Sequence, residues 1–146
     1  MYKRILHATD LSRDHYALCE QAALLARQLN AELYLMHVVA LPASLQLAQG
    51  LGFAELATPS TSDAKTVLSV LGENFGVPVS RQFADIGAVT AHVFDKIREL
   101  NIDLLVIGSH TPGGFANFLG SNAQSLVNHA PCDVLTLRVG EEHAAS

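Results

Sequence analysis

Residues 106–122 read VIGSHTPGGFANFLGSN and join an apolar run to a predicted helix through a glycine-rich loop. The segment contains four glycines and no lysine, arginine, aspartate or glutamate. A buried strand that ends in glycine and leads into a helix is typical of the repeating unit of parallel α/β proteins. A loop of this kind between a strand and a helix raises the question of which ligand it holds.

Short apolar runs alternate with amphipathic segments along the rest of the chain. Apolar residues recur at helical spacing between the runs, which predicts a helix after each of the first four strands. The predicted strands are KRILHAT (3–9), ELYLMHVVA (32–40), VSRQF (79–83), DLLVIG (103–108) and DVLTLRV (133–139).

The predicted helices have recognisable starts and stops. Ser12 is a predicted N-cap, with Asp14 in the first helical turn. Asn30 follows the first helix and favours a left-handed stop, Gly76 and Pro78 are stop signals after the second, and Asn101 closes the third.

Helices of this length between strands require parallel pairing and cover both faces of the sheet. The sequence therefore predicts one Rossmann-like domain, a doubly wound five-stranded parallel sheet with strand order 3-2-1-4-5. Ligands of such sheets bind outside the carboxyl ends of the strands, at the switch point. The first and fourth strands flank this point, and they end at Asp10 and Gly108.

Composition excludes several functional classes. The chain has 146 residues, 49% of them hydrophobic, and a formal charge of −5 with nine scattered basic residues, which argues against binding to nucleic acid or to an anionic membrane surface. No run has the length of a membrane span or of a signal-peptide core, so a cytoplasmic protein is expected. Cys19 and Cys132 lack metal-site spacing and are interpreted as reduced thiols.

The glycine-rich loop has two interpretations. Gly108 ends a strand and Gly120, Ser121 and Asn122 open a helix, where unpaired N–H groups and the helix dipole favour an anion such as phosphate. Alternatively, the glycines only allow the chain to turn and Ser121 caps the helix. The pattern is neither a Walker A loop nor a dinucleotide-binding fingerprint.

Three segments together resemble the universal stress protein superfamily: KRILHATDLS, LYLMHVV, and the C-terminal third from IDLLVIGSH through LGSNAQSLVNHAPCDVLTLRV. The resemblance covers residues 1–140 and leaves 141–146 as a short tail. It implies a fold similar to adenine nucleotide alpha hydrolases. It also implies a homodimer that pairs through the last strand, Asp133 to Val139.

The loop departs from the usual motif of nucleotide-binding members, Gly-x-x-Gly followed after nine residues by Gly-Ser/Thr. Thr111 replaces the second glycine, and eight residues separate it from Gly120. GSH-x-P followed by LGSNA resembles a variant in a small-protein subgroup that binds adenine nucleotides, where Gly113 or Gly114 would restore the backbone freedom. The N-terminal half also resembles a subgroup that lacks the glycines and does not bind ATP.

For the nucleotide-binding subgroup, the resemblance implies a stress-response sensor or switch with at most slow ATP hydrolysis. ATP, ADP or AMP would be the ligand, with Mg²⁺ bound through its phosphates. The alternative is a homodimer that works through protein partners. The nucleotide-binding residues implied are Ala8, Thr9, Asp10, Val38, Gly108, Ser109, His110, Gly120, Ser121 and Asn122.

Other polar residues and one segment have less specific interpretations. His110 is either a general acid or base at the phosphates or a loop histidine bonded to backbone. His7 and His37 lie within apolar strands and are expected to be hydrogen-bonded core residues. The nearly uncharged segment 40–62 is either a loop or a weak helix, and it would act as a lid over the ligand or as an extra dimer contact.

Overall fold

The computed structural model describes residues 2–11, 14–40, 60–108 and 120–138. The strands in these ranges are β1 (Arg4–Ala8), β2 (Glu32–Val39), β3 (Gln82–Ile86), β4 (Leu104–Gly108) and β5 (Asp133–Leu137). The helices are α1 (His15–Leu29), α2 (Ser62–Phe75), α3 (Val89–Leu100) and α4 (Gly120–His129), and a 3₁₀ turn covers Val79–Arg81.

The strands form one parallel sheet in the order β3-β2-β1-β4-β5, which confirms the predicted fold class and strand order. β1 is the central strand, and it pairs with β2 on one side and with β4 on the other. His7 is opposite Leu35 of β2 and opposite Val106 of β4. The carboxyl ends of these three strands therefore reach the same edge of the sheet.

The core consists of two apolar layers, one on each face of the sheet. Leu6 and Leu105 belong to the layer beneath α3 and α4, whereas Ile5 and Val106 belong to the layer beneath α1 and α2. Neighbouring residues of a strand alternate between these layers because side chains of a strand point to opposite faces. Both faces are covered, which explains why the strands are continuous apolar runs.

The predicted helix stops are confirmed. Asn30 and Asn101 both adopt the left-handed conformation, with φ of 54° and 56°, and Gly76 has φ of 75°. The N-terminal prediction for α1 was wrong in one respect: Asp14 is at the N-cap position, where its carbonyl accepts a hydrogen bond from Leu18 N (3.0 Å), so it precedes the first turn. Ser12 lies outside the described residues.

The third strand begins later than predicted. Residues 79–81 form a 3₁₀ turn closed by a hydrogen bond from Arg81 N to the carbonyl of Pro78 (2.9 Å), and the strand begins at Gln82. Val79 is 74% exposed and does not enter the core. The alternating pattern of VSRQF was misleading because its first valine lies on the surface of a turn.

The last strand ends earlier than predicted, and two segments named in the sequence analysis lie outside the described residues. β5 ends at Leu137, two residues before the predicted end of the last strand. Residues 41–59, most of the segment with open interpretations, lie outside the described part of the chain, as does 139–146, which contains the predicted tail.

Gly72 gives a direct test of packing between α2 and β3. A Cβ at Gly72 would overlap the Gln82 side-chain nitrogen and the Val77 carbonyl oxygen, two atoms that form a hydrogen bond of 2.8 Å. We therefore expect Gly72→Ala to lower the free energy of unfolding by about 1 to 3 kcal/mol, as overpacking does. Urea denaturation at pH 7.5 measures this change.

Ser69→Ala, about one turn earlier in α2, is the matched control and should leave the free energy of unfolding nearly unchanged. Helix propensity alone favours alanine over glycine by about 1 kcal/mol. A Gly72→Ala protein that is as stable as the unmodified protein, or more stable, would contradict the packing argument.

Candidate functional site

The candidate site is the crevice at the carboxyl ends of β1 and β4. These strands are neighbours, yet the helices that follow them cover opposite faces: Cys19 of α1 packs in one core layer and Leu126 of α4 in the other. The chain thus leaves the sheet in opposite directions at adjacent strand ends, which opens a crevice between them. The structure confirms the predicted position of the switch point.

A tight turn after β1 positions the first set of predicted residues. Thr9 is buried, and its backbone N–H donates to the Met36 carbonyl of β2 (2.9 Å), so it extends the sheet by one residue. Its hydroxyl oxygen accepts a hydrogen bond from Leu11 N (3.1 Å), and Leu11 has φ of 56°, which is unusual for a side chain of that size. This turn holds the half-buried Asp10 at the strand end.

His7 lies directly beneath this turn and is completely buried, with 0% exposure. Its Nδ1 lies 3.0 Å from the Val106 carbonyl, so the neutral ring donates from Nδ1 and Nε2 is left as an acceptor. Nε2 has no hydrogen-bond partner within the described ranges. Burial lowers the pKa of His7, opposed by the bond to Val106 and by the negative charge of Asp10.

His37 of β2 makes a similar cross-strand contact. Its Nδ1 lies 2.7 Å from the carbonyl of Thr9, which ties β2 to the turn after β1. Burial lowers the pKa of His37, while the hydrogen bond to Thr9 and the negative charge of Asp10 act to raise it. The expectation of a hydrogen-bonded histidine is confirmed for His37, although its side chain is only half-buried. For His7 it is confirmed at Nδ1 alone, since Nε2 has no described partner.

The structure brings several predicted site residues to one edge of the sheet. Ala8 ends β1 with Thr9 and Asp10 just beyond it, Val38 lies near the end of the adjacent β2, and Gly108 ends β4. Val38 is buried in the core, so only its backbone is available to a ligand at the edge. Gly120, Ser121 and Asn122 are the first three residues of α4, and Ser109 and His110 lie outside the described residues.

A further polar pair at the same edge was not predicted. Asp85 is opposite Val38 on β3, and its Oδ2 lies 3.5 Å from Nδ1 of His92 in the first turn of α3. Gly87, with φ of 143°, lies against the His92 ring, because a Cβ there would come within 2.7 Å of Nε2. The sequence pattern D-x-G followed by histidine contains this signal only once the strand register is known.

No group of three or more histidine, cysteine, aspartate or glutamate residues in the described ranges is placed to hold a metal ion. Among those residues, no helix is long and apolar enough to cross a membrane.

The fold and the residues of the crevice define a doubly wound α/β domain with a polar crevice at its switch point. A family model, the universal stress protein family, matches residues 1–138. Universal stress protein A homolog 1 of Coxiella burnetii is 32% identical, over 96% of this chain and 99% of that protein. The chain therefore belongs to the universal stress protein family.

Solved structures show the same fold. Universal stress protein UspA from Lactobacillus plantarum superposes with a TM-score of 0.71 at 23% identity, covering 94% of this chain and 98% of that one. A universal stress protein crystallised in complex with cAMP superposes with a TM-score of 0.65 at 18% identity, covering 94% and 97%. At these identities the likeness concerns the fold.

The burial of His7 predicts acid sensitivity. Because its pKa is lowered in the folded protein, the unfolded chain binds more protons below the ordinary value of 6.5. The stabilising contribution of neutral His7 is thus complete above about pH 6.5 and decreases as the pH falls below it. Urea denaturation at pH 7.5 and 5.5 should show a smaller loss of unfolding free energy for His7→Gln than for the unmodified protein.

His129→Gln is the matched control for this experiment because its ring is exposed at the end of α4. The control should lose as much stability between the two pH values as the unmodified protein. If His7→Gln also shows this full loss, protonation of His7 is not the cause.

Proposed function

We propose that this protein binds an adenine nucleotide in the crevice between β1 and β4 and acts as a stress-response sensor or switch. The observation that carries the proposal is the placement of Asp10, half-buried just beyond β1, on the strand adjacent to the one that ends in Gly108. A carboxylate at one strand end and a glycine at the next are suited to the two halves of a nucleotide, the ribose and the phosphates.

The Asp10 carboxylate would accept hydrogen bonds from the ribose hydroxyls. Thr9 supports this role because its backbone and hydroxyl are both committed to the sheet and to the turn, which fixes the position of the next residue. The adenine would lie against the end of β2, where the Val38 backbone would read its edge. The bonds from the ribose to the Asp10 carboxylate would be charge-assisted, and such bonds are stronger than hydrogen bonds between neutral groups.

The phosphates would lie at the start of α4. The first N–H groups of a helix have no partner within the helix, so those of Gly120, Ser121 and Asn122 are oriented for an anion and supported by the helix dipole. Residues 106–122 contain no lysine or arginine. Mg²⁺ held by the phosphates would therefore supply the missing positive charge.

A sensing role fits these residues better than rapid turnover. Asp10 would be engaged with the ribose, so it would not activate a water molecule near the terminal phosphate, and ATP hydrolysis would be slow at most. The complex of a related universal stress protein with cAMP supports the choice of an adenine nucleotide. The two cysteines are unpaired thiols, in keeping with action in the reducing cytoplasm.

The first test is mass spectrometry of small molecules released when the purified protein is denatured, followed by calorimetric titration of ATP, ADP and AMP with Mg²⁺. We expect adenine nucleotide to bind the unmodified protein. Asp10→Asn should bind roughly tenfold more weakly or worse, since it loses a charge-assisted hydrogen bond. Gly120→Val should abolish binding because a branched side chain would occupy the space of the phosphates.

Asp95→Asn is the control for Asp10→Asn, because Asp95 is an exposed carboxylate on α3 that pairs only with Arg98 among the described residues. Circular dichroism would verify that each variant is folded. The proposal is wrong if no nucleotide binds at millimolar concentration, or if Asp10→Asn and Gly120→Val bind as well as the control.

A homodimer that works through protein partners is a second candidate, and the edge strand β5 favours it. Val134, Leu135 and Leu137 of β5 are only partly buried, whereas every residue of β4 is buried. β5 is the last strand in the sheet order, so one of its edges has no neighbouring strand within the described chain. An apolar strand in this position is a hazard for aggregation unless it is paired, and pairing across a two-fold axis would cover it.

We expect the protein to sediment as a dimer in analytical ultracentrifugation. Thr136→Lys, at an exposed position of β5, would place two like charges near the axis and should shift the mass to that of a monomer. Thr66→Lys on the exposed side of α2 is the control and should remain dimeric. A monomeric unmodified protein, or a dimeric Thr136→Lys variant, would exclude this interface.

A further inference from the structure

A small cleft lies at the opposite end of the sheet from the candidate nucleotide site. It forms where α1 and α2 both end, close to the start of β2, and its volume is about 140 Å³. Two arginines project into it, Arg27 from the last turn of α1 and Arg81 from the 3₁₀ turn before β3. Most of the remaining wall is formed by small or apolar residues, among them Ala23, Ala26, Phe75 and Gly76.

Arg81 has donors that the described protein does not use. Its side chain is 27% exposed, and its Nε is buried with no hydrogen-bond partner in the described ranges. The guanidinium lies 5.8 Å from the centre of the Tyr34 ring and 3.6 Å from Glu32, which is longer than a hydrogen bond. A partly buried guanidinium is normally matched to a planar or tetrahedral oxyanion that accepts from its fork of N–H groups.

Glu32 does not fulfil this role, because other groups also contact it. Its carboxylate is 52% exposed, lies 3.7 Å from Arg4 Nε and accepts a hydrogen bond from the Tyr34 hydroxyl (3.3 Å). Arg27 forms no ion pair with a described residue. Arg4 and Arg81 therefore share the carboxylate of Glu32, which does not line the cleft, whereas Arg27 lines the cleft without a described ion-pair partner.

The carbonyl ends of two helices would oppose an anion here if they were uncapped. One carbonyl in the last turn of each helix is instead hydrogen-bonded to the chain that follows: Ala31 N donates to Ala26 O (2.8 Å) and Val77 N to Gly72 O (2.9 Å). The Val77 carbonyl accepts from the Gln82 amide (2.8 Å). The negative ends of the dipoles are therefore partly neutralised before any ligand arrives.

We propose that the cleft between Arg27 and Arg81 binds a small oxyanion of the phosphate class. The volume fits one tetrahedral anion with a few waters, since a water molecule takes about 30 Å³, whereas pockets for larger organic ligands begin at about 300 Å³. The ligand is either free phosphate or a phosphate monoester whose organic part remains outside. The site is separate from the proposed nucleotide crevice, which lies at the carboxyl ends of the strands, whereas the cleft lies near their amino ends.

The test is a titration of the ¹⁵N-labelled full chain with sodium phosphate, followed by two-dimensional NMR, against sodium chloride at equal ionic strength. Phosphate should cause saturable shifts of the amides of Ala31, Gly76 and Val77, and chloride should not. Arg27→Gln and Arg81→Gln should each weaken the apparent affinity about tenfold or more, because each removes charge-assisted hydrogen bonds. Arg27 is exposed, so its variant is expected to fold normally.

Arg98→Gln removes an exposed arginine of α3 and is the matched control, which should bind phosphate as the unmodified protein does. A second titration with glycerol 3-phosphate identifies the source of the anion: matching shifts support a site open to monoesters, and their absence beside a positive phosphate titration supports free phosphate. Equal shifts with chloride, or shifts that persist unchanged in both cleft variants, would overturn the proposal. Shifts confined to the start of α4 would do the same, since they would place phosphate in the nucleotide crevice.

Discussion

The parallel pairing of β1 on both sides is the constraint on which the rest of the structure depends. Ile5, Leu6, His7 and Ala8 are almost completely buried, so the backbone of the strand must find all its hydrogen bonds in β2 and β4. Parallel neighbours require long crossovers, and helices are the way to make them without unpaired backbone groups. The crevice at the switch point is thus a geometric consequence of a central buried strand.

The same burial explains why polar groups near the crevice hold the strands in register. His7 donates to Val106 in the middle of β4, and His37 donates to the turn after β1, so each imidazole ties its own strand to a neighbouring one. Both bonds require a proton on Nδ1, and burial favours the neutral rings by lowering the pKa values of both histidines. The position of Asp10 therefore depends on two residues that would not themselves need to touch a ligand.

Much of the fold could be predicted because burial on both faces leaves a strong local signal. The runs around Ile5, Leu35 and Leu105 are apolar without alternation, and the caps at Asn30, Gly76 and Asn101 are residue types that accept a left-handed backbone. VSRQF failed because Pro78 and the following turn place Val79 on the surface, which a short alternating pattern does not reveal.

The candidate site could be predicted only where it depends on strand ends. Asp10 and Gly108 follow from the rule that parallel strands finish at one edge, and they lie where expected. The contacts of His37 with Thr9 and of Asp85 with His92 depend on the register between strands distant in sequence. Register is determined by the packing of whole faces, so no single segment contains that information.

The two ends of the strands differ in the positively charged side chains that they offer to an anion. The glycine-rich loop contains no lysine or arginine, so an anion at the carboxyl ends of the strands would depend on backbone N–H groups, the α4 dipole and an accompanying cation. At the amino ends of the strands, Arg27 and Arg81 line a cleft where hydrogen-bonded helix ends reduce the opposing dipoles. Backbone N–H groups contribute only partial charges, whereas each guanidinium group contributes a full positive charge beside its directed N–H donors. Anion binding in the cleft at the amino ends of the strands should therefore weaken more steeply with ionic strength than anion binding at their carboxyl ends.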